Sequence, residues 1–279
     1  MIKSGLVDRG SLKIVIYLIV IICSITVCFL GIKINAKQKH QRKIEYAEAT
    51  IKNETGKIKQ LNEQVRNLYQ DQQEEFLIQP LEDSLIIEIE RSVIALKSKA
   101  EDFGLKKKEF SVDTSETAQN KDKLILKLKD VKVKKKIQNQ VTDLLVQEPA
   151  DWKVNADAVV MNEHATDEKV LKIRNKISGH TSVWHDAIIA FLNEIDAQIK
   201  QYSESKQSID AMIDGEKLTS NANAENFILT FNQVALIKNE GLRKSLVDKL
   251  DFIDKQLENP ANIAVPTDGD GGTLPPPSE

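Results

Sequence analysis

Residues 14–32 read IVIYLIVIICSITVCFLGI, nineteen consecutive residues without a charge, and the rest of the chain is read outward from them. As a helix this run extends about 28 Å, close to the hydrocarbon thickness of a bilayer. Lys13 and Lys33 bracket it sharply. Its polar members, Ser24 and Thr26, are expected to bond back to carbonyls of their own helix. A cleaved signal peptide would carry a shorter apolar core and a small-residue cleavage site. Here the run is longer, and Ile34-Asn35-Ala36 makes a poor site. A lipoprotein signal wants a small residue before its cysteine, whereas Ile22 precedes Cys23 and Val27 precedes Cys28. The expectation is an uncleaved anchor. Both cysteines of the chain fall inside it and read as small apolar residues, with acylation or an interhelix disulfide as minor options.

Composition narrows the rest. The chain has 279 residues, a formal net charge of −3, 29% charged and 41% hydrophobic residues, and only 5% aromatic ones. With 11 Gly and 7 Pro it is not collagen-like, and two cysteines do not make a disulfide scaffold. The charge balance argues against a nucleic-acid partner, which calls for a concentrated basic excess. Abundant Lys, Glu, Gln, Ile and Leu point to exposed helices.

Orientation has two opposed signals. Lys3, Arg9 and Lys13 precede the anchor, whereas Lys33, Lys37, Lys39, Arg42 and Lys43 follow it, which by the positive-inside rule puts the following side in the cytoplasm. A short basic N-terminal tail and a Pro/Gly-rich C-terminus favour export of the long domain. The reading adopted is a single-pass membrane protein with most of the chain extracellular, the cytoplasmic orientation being the alternative.

After the anchor, residues 33–104 read as coiled-coil helices with a break at Pro80. Ile44, Ile51, Ile58 and Val65 occupy one heptad position and Ala47, Leu61 and Leu68 the other, interrupted by Glu54. β-Branched residues at a and Leu at d favour a parallel two-stranded coil, hence a homodimer through this stalk. The alternative is one amphipathic helix folded back on its own chain. A second helix follows Pro80 through Ile86, Ile89, Val93, Leu96, Ala100 and Phe103, with Gly104 as its stop.

Residues 105–162 suggest a small α+β segment. Residues 106–112 read as a short strand, 114–122 as turn-like, and Leu124-Ile125-Leu126-Lys127-Leu128, continued by Val131 and Val133, as an amphipathic strand. Residues 134–147 return to helical spacing. The rival reading is helix throughout.

Residues 163–259 predict an antiparallel helical bundle. One helix covers 166–178 before Gly179; Ser182 caps the next, which carries apolar residues through Ile199; Ile209, Met212 and Ile213 mark a short helix before Gly215. Phe227 to Ile237 and Leu242 to Leu257 mark two more, with Gly241 between them. Residues 260–279, rich in Pro and Gly and lacking any basic residue, read as a disordered tail. Asp268-Gly269-Asp270-Gly271-Gly272 begins like a calcium loop but lacks the later Glu and flanking helices.

Catalytic candidates are few. His180 and His185 are five apart, so on one helix they diverge by about 140°, whereas a zinc pair wants i,i+4. His164 stands with Glu163, Asp167 and Glu168 in an acidic stretch without a third ligand at recognisable spacing. There is no Walker loop, dinucleotide turn or G-x-S-x-G. No catalytic, cofactor-binding or metal residue is assigned, and no cofactor is expected. An envelope metal-dependent hydrolase using His164, His180 or His185 is kept as a rival. Lys106–Lys108 and 134–136 are basic clusters that fit a solvated face, anionic lipid or an anionic wall polymer.

Arg243, Leu246, Leu250, Ile253 and Leu257 follow the spacing K/R-x-x-L-x-x-x-L-x-x-I/V-x-x-x-L. With the preceding stretch from Ile209, they resemble the helical repeat of Gram-positive surface proteins related to domain VI of insecticidal crystal toxins. The resemblance covers under a fifth of the chain and implies an exported, non-enzymatic helical module. One anchor, a coiled coil and an α+β segment also look like the bitopic alignment proteins of pilus, secretion or division machines. The functional expectation is therefore a membrane-anchored interaction or scaffold module with a protein partner of unknown identity.

Overall fold

The computed structural model describes residues 9–153, 156–179 and 181–258, with side chains from Lys13 onward. They form seven α-helices and one two-stranded sheet. The chain divides into two compact units, one made of Met1–Asn67 and Glu82–Asp130, the other of Leu68–Leu81 and Val131–Glu279. His180 and the tail 260–279, with its calcium-loop-like stretch at 268–272, lie outside the described residues.

In the first unit, α1 runs unbroken over Arg9–Arg66. Residues 14–32 carry no charge and are exposed on every side; the second half of the helix buries one stripe. Ala47, Ile51, Glu54, Ile58, Leu61 and Val65 alternate in steps of four and three, the period that keeps one face of a helix inward. The heptad is therefore real, and its cover comes from the same chain. α2, Asp83–Ala95, packs against α1 with Ile86, Ile89 and Val93 inward. Thr55 Oγ1 lies 3.3 Å from Thr117 Oγ1 on α3, Ser115–Thr142. Of the two readings of the stripe, the folded-back helix is the one observed.

The expected strand at 124–133 is a correction: the whole stretch is α3. Leu124, Leu128 and Val131 are buried while Ile125 and Leu126 are exposed, so the decisive spacing is i, i+4, i+7 and not the alternation Leu124-Leu126-Leu128. Likewise the stretch 114–122 opens this helix from Ser115, and 106–112 holds a single 3-10 turn at Lys107–Glu109. The first helix also ends earlier than Pro80, at Arg66. Gly104 does act as a stop, in the left-handed conformation at φ +64°, but for a 3-10 turn at Ala100–Phe103 that follows α2.

In the second unit, residues 68–81 form a reversal closed by a bridge between Tyr69 and Leu77. Asp71 holds its turn together, accepting from the N–H groups of Glu75 (3.1 Å) and Phe76 (3.3 Å). Burial raises the Asp71 carboxyl, and those two donors with Lys153 outweigh it, so its pKa lies below the ordinary value. A bridge between Leu145 and Met161 and a 3-10 turn at Ala156–Ala158 are what the 105–162 segment keeps of its non-helical character. Gln198, on the helix that follows, pins this stretch: its amide donates to the Val159 carbonyl (2.9 Å) and its oxygen accepts from Met161 N–H (3.0 Å).

The helices of this unit follow. Thr166 caps α4, Asp167–Ile177, and Ser182 caps α5, Val183–Met212. The expected short helix at 209–213 is the continuous end of α5, followed by the hairpin β1 (Ile213–Asp214) and β2 (Lys217–Leu218), turned at Gly215 with φ +62°. α6, Ala224–Ala235, and α7, Glu240–Leu257, close the bundle. Gly241 lies in the first turn of α7; Asn239 supplies the break by capping it. Trp152 and Phe191 meet edge-on, centroids 5.1 Å apart, within the larger core. Ile209, Val234, Leu246, Leu250 and Ile253 form the second core where α5, α6 and α7 meet.

Candidate functional site

The most distinctive feature is the exposed half of α1. Its most apolar 18-residue window has a mean hydropathy of 2.9 and no buried residue. An apolar surface of this size on a soluble protein is normally covered. Length and composition make this helix sufficient to cross a membrane. Ser24 Oγ donates to the Val20 carbonyl at 2.8 Å and Thr26 Oγ1 to the Ile22 carbonyl at 2.7 Å, so their hydroxyls are satisfied without water. Cys23 and Cys28 are free thiols on this surface.

Beyond it, residues 33–43 continue the helix, fully exposed and free of acidic residues. The loop from Leu96 to Asp113 comes back against α1 next to this stretch. Ala47 packs with Ala100 and Leu105, flanked by Ile44, Phe103 and Phe110. The Tyr46 ring meets the Phe103 ring edge-on at 6.4 Å. His40 Nε2 lies 3.3 Å from Glu109 Oε1. Glu109 also accepts from Lys106 N–H at 2.6 Å, which, with His40 beside it, holds its carboxyl below the ordinary range. Asp102 accepts from the N–H groups of Ser98 and Lys99. Asp102 and Glu109 are thus spent on folding the loop, and Lys97 Nζ lies 4.9 Å from the centroid of the Phe103 ring. Lys97, Lys99 and Lys106–Lys108 are all exposed.

The histidine candidates do not converge on a site. His164 is exposed, with Nε2 3.7 Å from the neighbouring Glu163 carboxylate. His185 belongs to the first turn of α5, where its N–H donates to Ser182 Oγ and its Nδ1 lies 3.2 Å from Asp186. Asp167 and Glu168 form the first turn of α4, and Glu168 pairs with Lys172 at 2.7 Å. Among the described residues no group of three His, Cys, Asp or Glu could hold a metal ion.

One cleft of about 670 Å³ lies in the second unit, between residues 146–150, 158–160 and the start of α7. Its one cation, Lys238, is committed to the Asp157 carbonyl and to Glu194 Oε1 at 2.7 Å. That arrangement braces the loop. Sequence reasoning missed the pairing of the 97–108 lysines with residues 33–43, since the rest of α1, the 68–81 reversal and α2 lie between them. No family model, curated protein or solved structure matches the chain.

Proposed function

We propose that the protein is a single-pass membrane protein that presents two helical units as a non-enzymatic interaction or scaffold module of the cell envelope. The observation that carries this reading is the continuity of α1: one helix is bare and apolar over residues 14–32 and is packed into the first unit from Ala47 onward. Anchor and body share a backbone without a hinge, as a tether needs. The likeness of 209–257 to an exported helical repeat supports an extracellular body. The heptad stripe of α1 is used within one chain, so a homodimer would pair through the apolar half of α1, where lipid-phase helices associate by close packing.

Protease treatment of intact cells tests the orientation and the tether together. The reading expects cleavage of the helical units from outside and a protected fragment ending near the anchor. Full protection in intact cells, with cleavage only after lysis, would turn the body to the cytoplasm. Release of the intact chain without detergent would remove the tether.

A further inference from the structure

We propose that residues 33–43 of α1 and the Lys97–Lys108 stretch of the adjoining loop, brought side by side by the His40–Glu109 contact, form one basic collar that binds the anionic headgroups of the phospholipid leaflet beside the anchor. The inference rests on the membrane reading above and adds a ligand class and a site to it.

Charge is the first argument. Windows 33–48 and 97–110 together hold ten Lys and Arg against five Asp and Glu, in a chain whose total is −3. Four of those five carboxylates accept hydrogen bonds from within the same region, Asp102 and Glu109 from loop N–H groups, Glu48 from Ser111 and Glu45 from Gln41 Nε2, and the two windows keep a net charge of +5. The positive charge is therefore local and outward.

Position is the second. The apolar run ends at Ile32, and His40 is eight residues on, so the loop meets the helix about 12 Å beyond the hydrocarbon edge at 1.5 Å per residue. A headgroup layer occupies roughly 5–8 Å of that distance. The remainder is under one Debye length at ~0.1 M salt, about 10 Å. Lys43 Nζ lies 3.6 Å from where a Cβ on Gly104 would stand, so the turn before Lys106 lies beside the helix bases. At 3.6 residues per turn Lys33, Lys37, Lys39, Arg42 and Lys43 spread over an arc of about 220° of the helix, wider than one flat face, which suits a rod standing in a headgroup layer. Anionic lipid attracts such juxtamembrane clusters additively.

The test uses the full chain in nanodiscs of phosphatidylcholine alone or with about one-third phosphatidylglycerol, read by the rate of trypsin cleavage at Lys106–Lys108. Cleavage should be at least about five-fold slower with the anionic lipid at ~0.1 M salt, and the two rates should converge at ~0.5 M. The variant K37Q/K39Q/R42Q/K43Q should lose most of that protection although its loop is unchanged. Equal rates in both lipids, or protection that ignores salt, overturn the proposal. So does equal protection in neutral discs by soluble poly(glycerol phosphate), which would assign the collar to a wall polymer. Incorporation into nanodiscs is scored separately, so a chain that fails to insert contradicts the anchor and not the collar.

Discussion

Glu48 Oε1 accepts two hydrogen bonds from Ser111, from its N–H at 2.7 Å and its hydroxyl at 2.8 Å, across 63 residues of sequence. The backbone donor, then the hydroxyl, hold the Glu48 carboxyl below the ordinary value of 4.5. A depressed carboxyl stabilises the fold above its unfolded pKa, and that contribution is lost as pH falls through the folded pKa. Glu109 shifts in the same direction, through Lys106 N–H first. The loop 96–113 should therefore stay docked at neutral pH and loosen as the pH drops below about 4.5. Amide exchange at Lys106 and Ser111 against pH checks this. E48Q should speed exchange at Ser111 at pH 7 and flatten its acid dependence.

Lys134 is 7% exposed, with Nζ 2.8 Å from the Glu74 carbonyl and over the rings of Tyr69 (5.2 Å) and Trp184 (5.7 Å). It ties the 68–81 reversal to the helices of the second unit. Lys134→Met keeps the aliphatic stem and removes the ammonium. The expected loss is about 1–3 kcal/mol in denaturant unfolding of that unit. An unchanged midpoint would mean that the ammonium contributes nothing net.

Glu54 occupies a stripe position of α1 at 5% exposure, with Oε1 bonded to Lys57 at 2.9 Å and Oε2 buried without a partner among the described residues. A half-satisfied buried carboxylate costs more than an apolar side chain of similar size. Glu54→Leu should raise the stability of the first unit by roughly 1–3 kcal/mol. A destabilised variant would show that the carboxylate serves the fold.

Asn239 works at both ends of its amide. Oδ1 accepts from Leu242 N–H at 3.0 Å as the cap of α7, and Nδ2 donates to the Met161 carbonyl at 2.8 Å. Asn239→Asp keeps the cap and loses the donor; Asn239→Ala loses both. Thermal unfolding should rank wild type above Asp above Ala, the full step being about 1–3 kcal/mol.

Much of this fold is legible in the sequence because burial in helices leaves a three-and-four rhythm. Ile51, Ile58 and Val65 announce the α1 stripe, and Ser182 is a side chain whose chemistry caps a helix, whereas Asn239, which caps α7, is overshadowed in the sequence by the conspicuous Gly241. What covers a stripe is not written in it: Ile51 and Ile58 suit a second copy as well as a neighbour from the same chain. The strand expected at 124–128 came from a short apolar run in which alternation and helical spacing coincide at Leu124 and Leu128. The end of α1 was misjudged because Pro80 is conspicuous and Asp71, whose carboxylate turns the chain earlier, is not. The collar was hidden for a topological reason: its two halves are 54 or more residues apart and meet only because the loop after α2 returns to His40.

The anchor is tested most directly by alkaline extraction of membranes from cells making the full-length chain, alongside the variant I21R/I25R. Two arginines near the centre of the span cost about 5–7 kcal/mol of insertion on biological scales. The account predicts that the unaltered chain stays in the alkali-washed membrane pellet with its N-terminal segment intact, and that the variant moves largely to the supernatant. An unaltered chain recovered in the supernatant, or a mature form beginning after Ile32, would contradict it.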